Sequence, residues 1–163
     1  MKKNGTVLTS NQVTPGTLHL SHQLMTKMHT SEAMARVIGS PDYVLEVKMP
    51  LFSKARPRLT KTGHAYMPQA YRDAQAEMQR QINEQWHHAP LTGPIALYIK
   101  VYGEGRGDGD NIAGAILDAA GPSKGKPGIL WEDDRVSVIP CLIIEWEKAS
   151  RIDSRWILQI ALL

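Results

Sequence analysis

Arg106-Gly107-Asp108-Gly109-Asp110-Asn111-Ile112-Ala113-Gly114-Ala115-Ile116-Leu117-Asp118-Ala119-Ala120 is the run on which the reading of this 163-residue chain turns. Asp108 and Asp110 stand two apart around a glycine, so an extended backbone points both carboxylates to one side. From Asp110 onward, at about 100° per residue, Ile112, Ala113, Ile116, Leu117 and Ala120 share one face, and Asp110, Asn111, Gly114 and Asp118 the other. That pattern predicts a short amphipathic helix anchored by its apolar side, with Asp110 or Asn111 as its N-cap. A single aspartate at a helix start has an ordinary explanation in capping and in its attraction to the positive end of the helix dipole. Two beside a glycine, with Trp131-Glu132-Asp133-Asp134 downstream, point instead to hard oxygen ligands that suit Mg²⁺ or Mn²⁺ rather than zinc. An EF-hand is excluded, because that loop needs a ligand at its fifth position and glycine at its sixth, where Ile112 and Ala113 stand.

Outward from this run the pattern alternates between strand and helix. Residues 95–102, after the Gly93-Pro94 turn, read as a buried strand that delivers the flexible stretch 103–107 to Asp108. Before it, residues 69–86 form a helix in which Tyr71, Ala74, Met78, Ile82 and Trp86 make a core stripe. Tyr43, Leu45, Val47 and Met49 alternate with polar or charged neighbours and with Val44, the period of a strand, which Pro50 ends. After the central helix, residues 121–128 form a basic loop carrying Lys124 and Lys126. Residues 136–146 then read as a long strand and residues 156–162 as the last one.

Between the first strand and the 69–86 helix lies Lys54-Ala55-Arg56-Pro57-Arg58-Leu59-Thr60-Lys61, four cations in eight residues with no acid. Such a run is often plain solvated surface, but its interleaved Pro and Thr fit a loop that tracks a phosphate backbone. Lys54, Arg56, Arg58 and Lys61, with Lys124 and Lys126, are therefore the candidate phosphate-contacting cations.

Ahead of residue 43 the chain is polar and turn-rich to about residue 20. It then carries apolar residues at mixed helical spacings (Leu24, Met28, Met34, Val37, Ile38) up to a C-cap at Gly39. His19 and His22 lack further ligands nearby and read as solvated surface. The division expected is an N-terminal, partly helical extension over residues 1–40 and a main domain over 41–163. The order β, α, β, α, β, β predicts an α/β or α+β fold: a mixed sheet with helices packed on one side.

Composition is that of a globular protein, with 42% hydrophobic and 21% charged residues. The excess of 19 Lys and Arg over 16 Asp and Glu, a net +3, is too small to argue nucleic-acid binding alone. The sole cysteine, Cys141, lies in an apolar run, so it reads as a buried thiol, and one cysteine forms no intrachain disulfide. Lys2 and Lys3 are followed by no apolar segment of the kind that makes a leader, and no run is long enough to span a bilayer. The expectation is a cytoplasmic protein without a membrane partner.

Taken together, these pieces resemble the RusA-like family of Holliday-junction (crossover-junction) endodeoxyribonucleases. The resemblance rests on Lys54-x-Arg56-Pro57-Arg58, on Asp108-x-Asp110-Asn111 opening a helix with Leu117-Asp118-Ala119, and on Trp131-x-Asp133-Asp134 followed by Val136. It extends over roughly residues 43–162 and implies the RusA-like fold. It implies catalytic, metal-binding roles for Asp108, Asp110 and Asp134, with Mg²⁺ (or Mn²⁺) as cofactor; Asn111, Asp118 and Asp133 are then read as supporting residues around them. It also implies a homodimer that binds four-way DNA junctions and cuts symmetric strands, in recombination and repair. One departure stands out: the family's lysine four residues after the second acid is Gly114 here. Lys124, Lys126, Lys100 and Arg106 are the substitutes considered, and the alternative is a protein of the same fold that binds junctions but cuts them weakly or not at all. A metal-dependent phosphohydrolase of small nucleotides is a third reading, for which no base-reading residues are evident.

Overall fold

The computed structural model describes residues 30–105, 107–123 and 125–163. The expectations for the polar lead-in, His19, His22, Arg106 and Lys124 lie outside those residues. The chain divides into Met1–Glu32 and Ala33–Leu163, and the fold below is that of the second unit.

Four strands make the main sheet: β1 (Tyr43–Val47), β4 (Ile95–Gly103), β5 (Cys141–Lys148) and β6 (Arg155–Leu162), in the order β1-β6-β4-β5. β6 pairs antiparallel with both β1 and β4, whereas β4 and β5 are parallel. A parallel pair needs a crossover. Here α3 (Gly109–Ala120) supplies it, running back along the sheet between the two strands. The result is a mixed α+β sheet, as the alternation of elements predicts.

β4 is buried along nearly its whole length because both its faces are covered. Ile95, Leu97, Ile99 and Val101 pack into one core with Met78 and Ile82 of α2 (Gln69–Gln85) and with Ile112 and Ile116 of α3. The alternate residues Ala96 and Tyr98 form a second cluster with Ala33 and Val37 of α1 (30–39), together with Cys141 and Ala161. Thus α2 and α3 share one side, as expected, while α1 covers the opposite side over small side chains. No helix among the described residues is long and apolar enough to cross a membrane.

Three boundaries differ from the sequence reading. α3 starts at Gly109 with Asp108 at the N-cap, so Asp110 sits inside the first turn, and no side chain makes the capping bond. β5 starts at Cys141, because residues 136–138 form a turn and Pro140 offers no N–H to a ladder. The basic segment is not a plain loop. It contains a two-stranded hairpin, β2 (Arg58–Leu59) and β3 (Ala65–Tyr66), turning at Gly63, whose φ of 81° suits glycine. His64 closes that turn by donating its N–H to the Thr60 hydroxyl at 3.0 Å.

Candidate active site

Residues 51–54 are laced along the loop that leaves the carboxyl end of β4. A Cβ on Gly103 would stand 3.2 Å from Leu51 Cβ, and one on Gly107 3.3 Å from Ser53 Cβ. The next residue, Lys54, donates its N–H to the Asn111 carbonyl at 2.8 Å. The basic hairpin therefore departs from the same end of the sheet as Asp108 and Asp110. Beside this loop is an open cavity of about 370 Å³ lined by Gly105, Gly107, Gly109, Ile112, Ile144 and Trp146. The half-exposed Trp146 indole lies flat enough against Gly105 that a Cβ there would be 2.5 Å from its ring, and its Nε1–H donates to the Gly103 carbonyl at 3.2 Å.

The carboxylates divide into bonded and unbonded. Asp118 accepts from Lys54 Nζ at 2.9 Å and from the Tyr71 hydroxyl at 2.9 Å. Asp133 accepts the Arg135 N–H at 2.9 Å and its Nε at 2.7 Å. Among the described residues Asp108 has only a long contact of 3.4 Å from the Asn111 amide, and it is exposed. Asp110 and Asp134 are exposed, and among the described residues neither side chain has a hydrogen bond or an ion pair. Burial, and then its bond to Asp118, pushes the Tyr71 hydroxyl well above the usual tyrosine range, so it stays a donor.

Asp134 is held at the other end of the sheet. Trp131 bridges to Leu91, Glu132 donates its N–H to the Leu91 carbonyl at 3.1 Å, and Ile95 at the start of β4 donates to Val138 at 2.8 Å. The segment around Asp134 is thus tied on both flanks to the amino end of β4, and Asp108 follows its carboxyl end. A nine-residue strand, at about 3.3 Å per residue, separates those ends by roughly 25 Å. Accordingly no group of three or more His, Cys, Asp or Glu side chains able to hold a metal ion forms among the described residues. The donor atoms are of the right kind for Mg²⁺, hard and unspent oxygens, but within one copy they do not converge.

Of the cations, Arg56, Arg58 and Lys61 are exposed on or beside the hairpin, at the end that carries Asp108 and Asp110. Lys126 is exposed at the opposite end, in a turn closed by the paired backbone bonds between Ser123 and Lys126. Lys100 is committed elsewhere, with Glu145 at 2.9 Å and Glu147 at 3.1 Å. Two participants escaped the sequence reading. Tyr71 was legible as core but not as the partner of Asp118, 47 residues away. Trp146 was legible only as strand, and its place next to the acid loop depends on the crossover.

No curated protein matches the chain. The family model described as Endodeoxyribonuclease RusA matches residues 48–153, a span that takes in the basic hairpin, α2, the acid loop, α3 and Asp134. By that match, over most of its length, the chain belongs to the RusA family of endodeoxyribonucleases.

Proposed function

We propose that this member of a family acting on junction DNA is a Mg²⁺-dependent endonuclease that resolves four-way junctions by paired cuts, in recombination and repair. It would work as a homodimer in which Asp108 and Asp110 of one copy meet Asp134 of the other. The observation that carries this reading is the crossover β4-α3-β5, which leaves the unbonded carboxylates at opposite ends of one sheet. A two-fold axis perpendicular to the strands reverses one copy and sets the Asp108 end of each beside the Asp134 end of the other. β5 is an edge strand with exposed Leu142 and Trp146, the sort of unpaired edge that accepts another chain. Two equal sites in such a dimer suit two equivalent strands of a junction.

In this reading Asp108, Asp110 and Asp134 would hold Mg²⁺, which would supply polarisation of a phosphate oxygen and activation of a water. The remaining work belongs to the chain's own groups. The first-turn amides of α3 present N–H dipoles toward an incoming phosphate. Arg56, Arg58 and Lys61 follow the DNA backbone away from the site. Asn111 restrains the Asp108 carboxylate, and Arg135 ties down Asp133 so that its neighbour Asp134 stays free. A second reading, junction binding without cutting, draws on Gly114, which puts no cation of its own on the helix face next to Asp110.

The test is cleavage of a synthetic four-way junction against a linear duplex of the same arm sequence, in Mg²⁺ and in EDTA, by wild type and Asp110→Asn. Paired symmetric nicks that need metal and vanish in the variant are expected. Tight junction binding without nicks in any divalent metal would favour the second reading.

A further inference from the structure

Lys54 is built into α3 rather than standing on the surface around it. Its backbone is fixed to the Asn111 carbonyl, its aliphatic stem runs across Gly114, and its ammonium reaches Asp118 at 2.9 Å. A Cβ on Gly114 would lie 2.9 Å from Lys54 Cδ and 3.5 Å from Lys54 Cβ, so the bare helix surface at that point is what lets the lysine lie down. Asp118 is steadied on its other oxygen by the Tyr71 hydroxyl. Asp110, Gly114 and Asp118 follow at i, i+4 and i+8 on one face, about 6 Å apart along the axis. The stem therefore crosses midway between an unbonded acid and a bonded one.

This hold sets Lys54 apart from the exposed arginines of the hairpin. A cation already fastened at its backbone and along its stem gives up little freedom when it meets an anion. Its side chain is still 46% exposed, so solvent and a ligand reach it although the ammonium is paired with Asp118. We infer that Lys54 is the cation that contacts the substrate phosphate at the Asp108 and Asp110 end of each site, with Gly114 as its bed and Asp118 and Tyr71 as positioning residues that hold it in the absence of DNA. No bond to lysine forms or breaks; the ammonium offsets negative charge that gathers on the phosphate oxygens as the strand is cut. This inference rests on the nuclease reading above for its catalytic part.

The experiment measures single-turnover cutting of a four-way junction in Mg²⁺ and junction affinity in Ca²⁺ for wild type, Lys54→Met, Lys54→Ala, and Lys54→Ala combined with Gly114→Lys. Lys54→Met keeps the apolar stem over Gly114 and removes only the charge. It is expected to slow cutting about 100-fold with affinity within about threefold, and the double variant is expected to regain about tenfold or more over Lys54→Ala. Full-rate cutting by Lys54→Met, a parallel fall in affinity and rate, or no rescue from Gly114→Lys would each overturn the assignment. A second readout does not need turnover: the Lys54 side-chain NMR signal, assigned by its disappearance in Lys54→Met, should move when junction DNA is added with Ca²⁺. An unmoved signal overturns the inference. A moved signal in a wild type that cuts nothing would uphold the phosphate contact while the nuclease reading falls.

Discussion

Asp133 and Asp134 are sequence neighbours with opposite circumstances: one is clasped by Arg135, the other is exposed and has no bond among the described residues. The acidic run Glu132-Asp133-Asp134 shows that a cluster exists, but which acid is free depends on a bond two residues long that spacing does not report. Gly114 is similar, since an empty helical position reads as a missing charge until Lys54 is seen lying on it. At this scale a pH dependence follows from Tyr98. Burial, and then the hydrogen bond and charge of Glu145, pushes its hydroxyl from 10.0 up to about 12. The folded chain thus keeps a proton that the unfolded chain releases near pH 10. Its contribution to stability is complete below that pH and is lost as pH rises from about 10 to about 12. Urea midpoints measured across that window should fall in wild type and fall less steeply in Tyr98→Phe; equal slopes would contradict the assignment.

Among the elements, α2 and β4 were legible nearly to the residue, because one carries an unbroken apolar stripe at helical period and the other an apolar run between turn signals. The start of β5 was not, since an apolar stretch reads alike in a turn and in a strand, and only Pro140 marks the change. The hairpin was missed because its two-residue strands are exposed and show no period. The seat of Trp131 gives a sharp prediction for the segment after α3. A Cβ on Gly128 would collide with the Trp131 carbonyl oxygen, a backbone atom, whereas one on Gly93 meets nothing within 4 Å. Gly128→Ala should therefore cost about 3 kcal/mol or more in urea unfolding, with Gly93→Ala close to neutral as its control. For the hairpin, Arg56→Ala with Arg58→Ala should flatten the slope of log affinity against log salt by about two, one unit for each phosphate that is no longer neutralised. An unchanged slope would remove this element from the DNA-binding surface.

For the molecule as a whole, spacing along the chain showed two acidic groups but not that a crossover carries them to opposite ends of the sheet. That separation makes complementation between inactive variants decisive. Asp110→Asn and Asp134→Asn should each fail to cut alone, yet in the proposed dimer a mixed pair would contain one site with both defects and one with neither. Mixing is expected to restore nicking of one strand without the paired second cut; no restored nicking would mean that each copy builds its site alone. The sheet order has a different kind of consequence. β1 and β4 do not pair; the strand between them is β6, which pairs Tyr43 with Ile160 and Ile95 with Leu162. A ribosome that has reached the end of β5 has therefore made three strands of the sheet but not the one that joins β1 to the β4-β5 pair. Until residues 155–162 emerge, the nascent chain carries two unmatched strand edges and an open core. It is then a natural client for chaperones, and a message cut short before that point would yield an aggregation-prone product rather than a weaker enzyme.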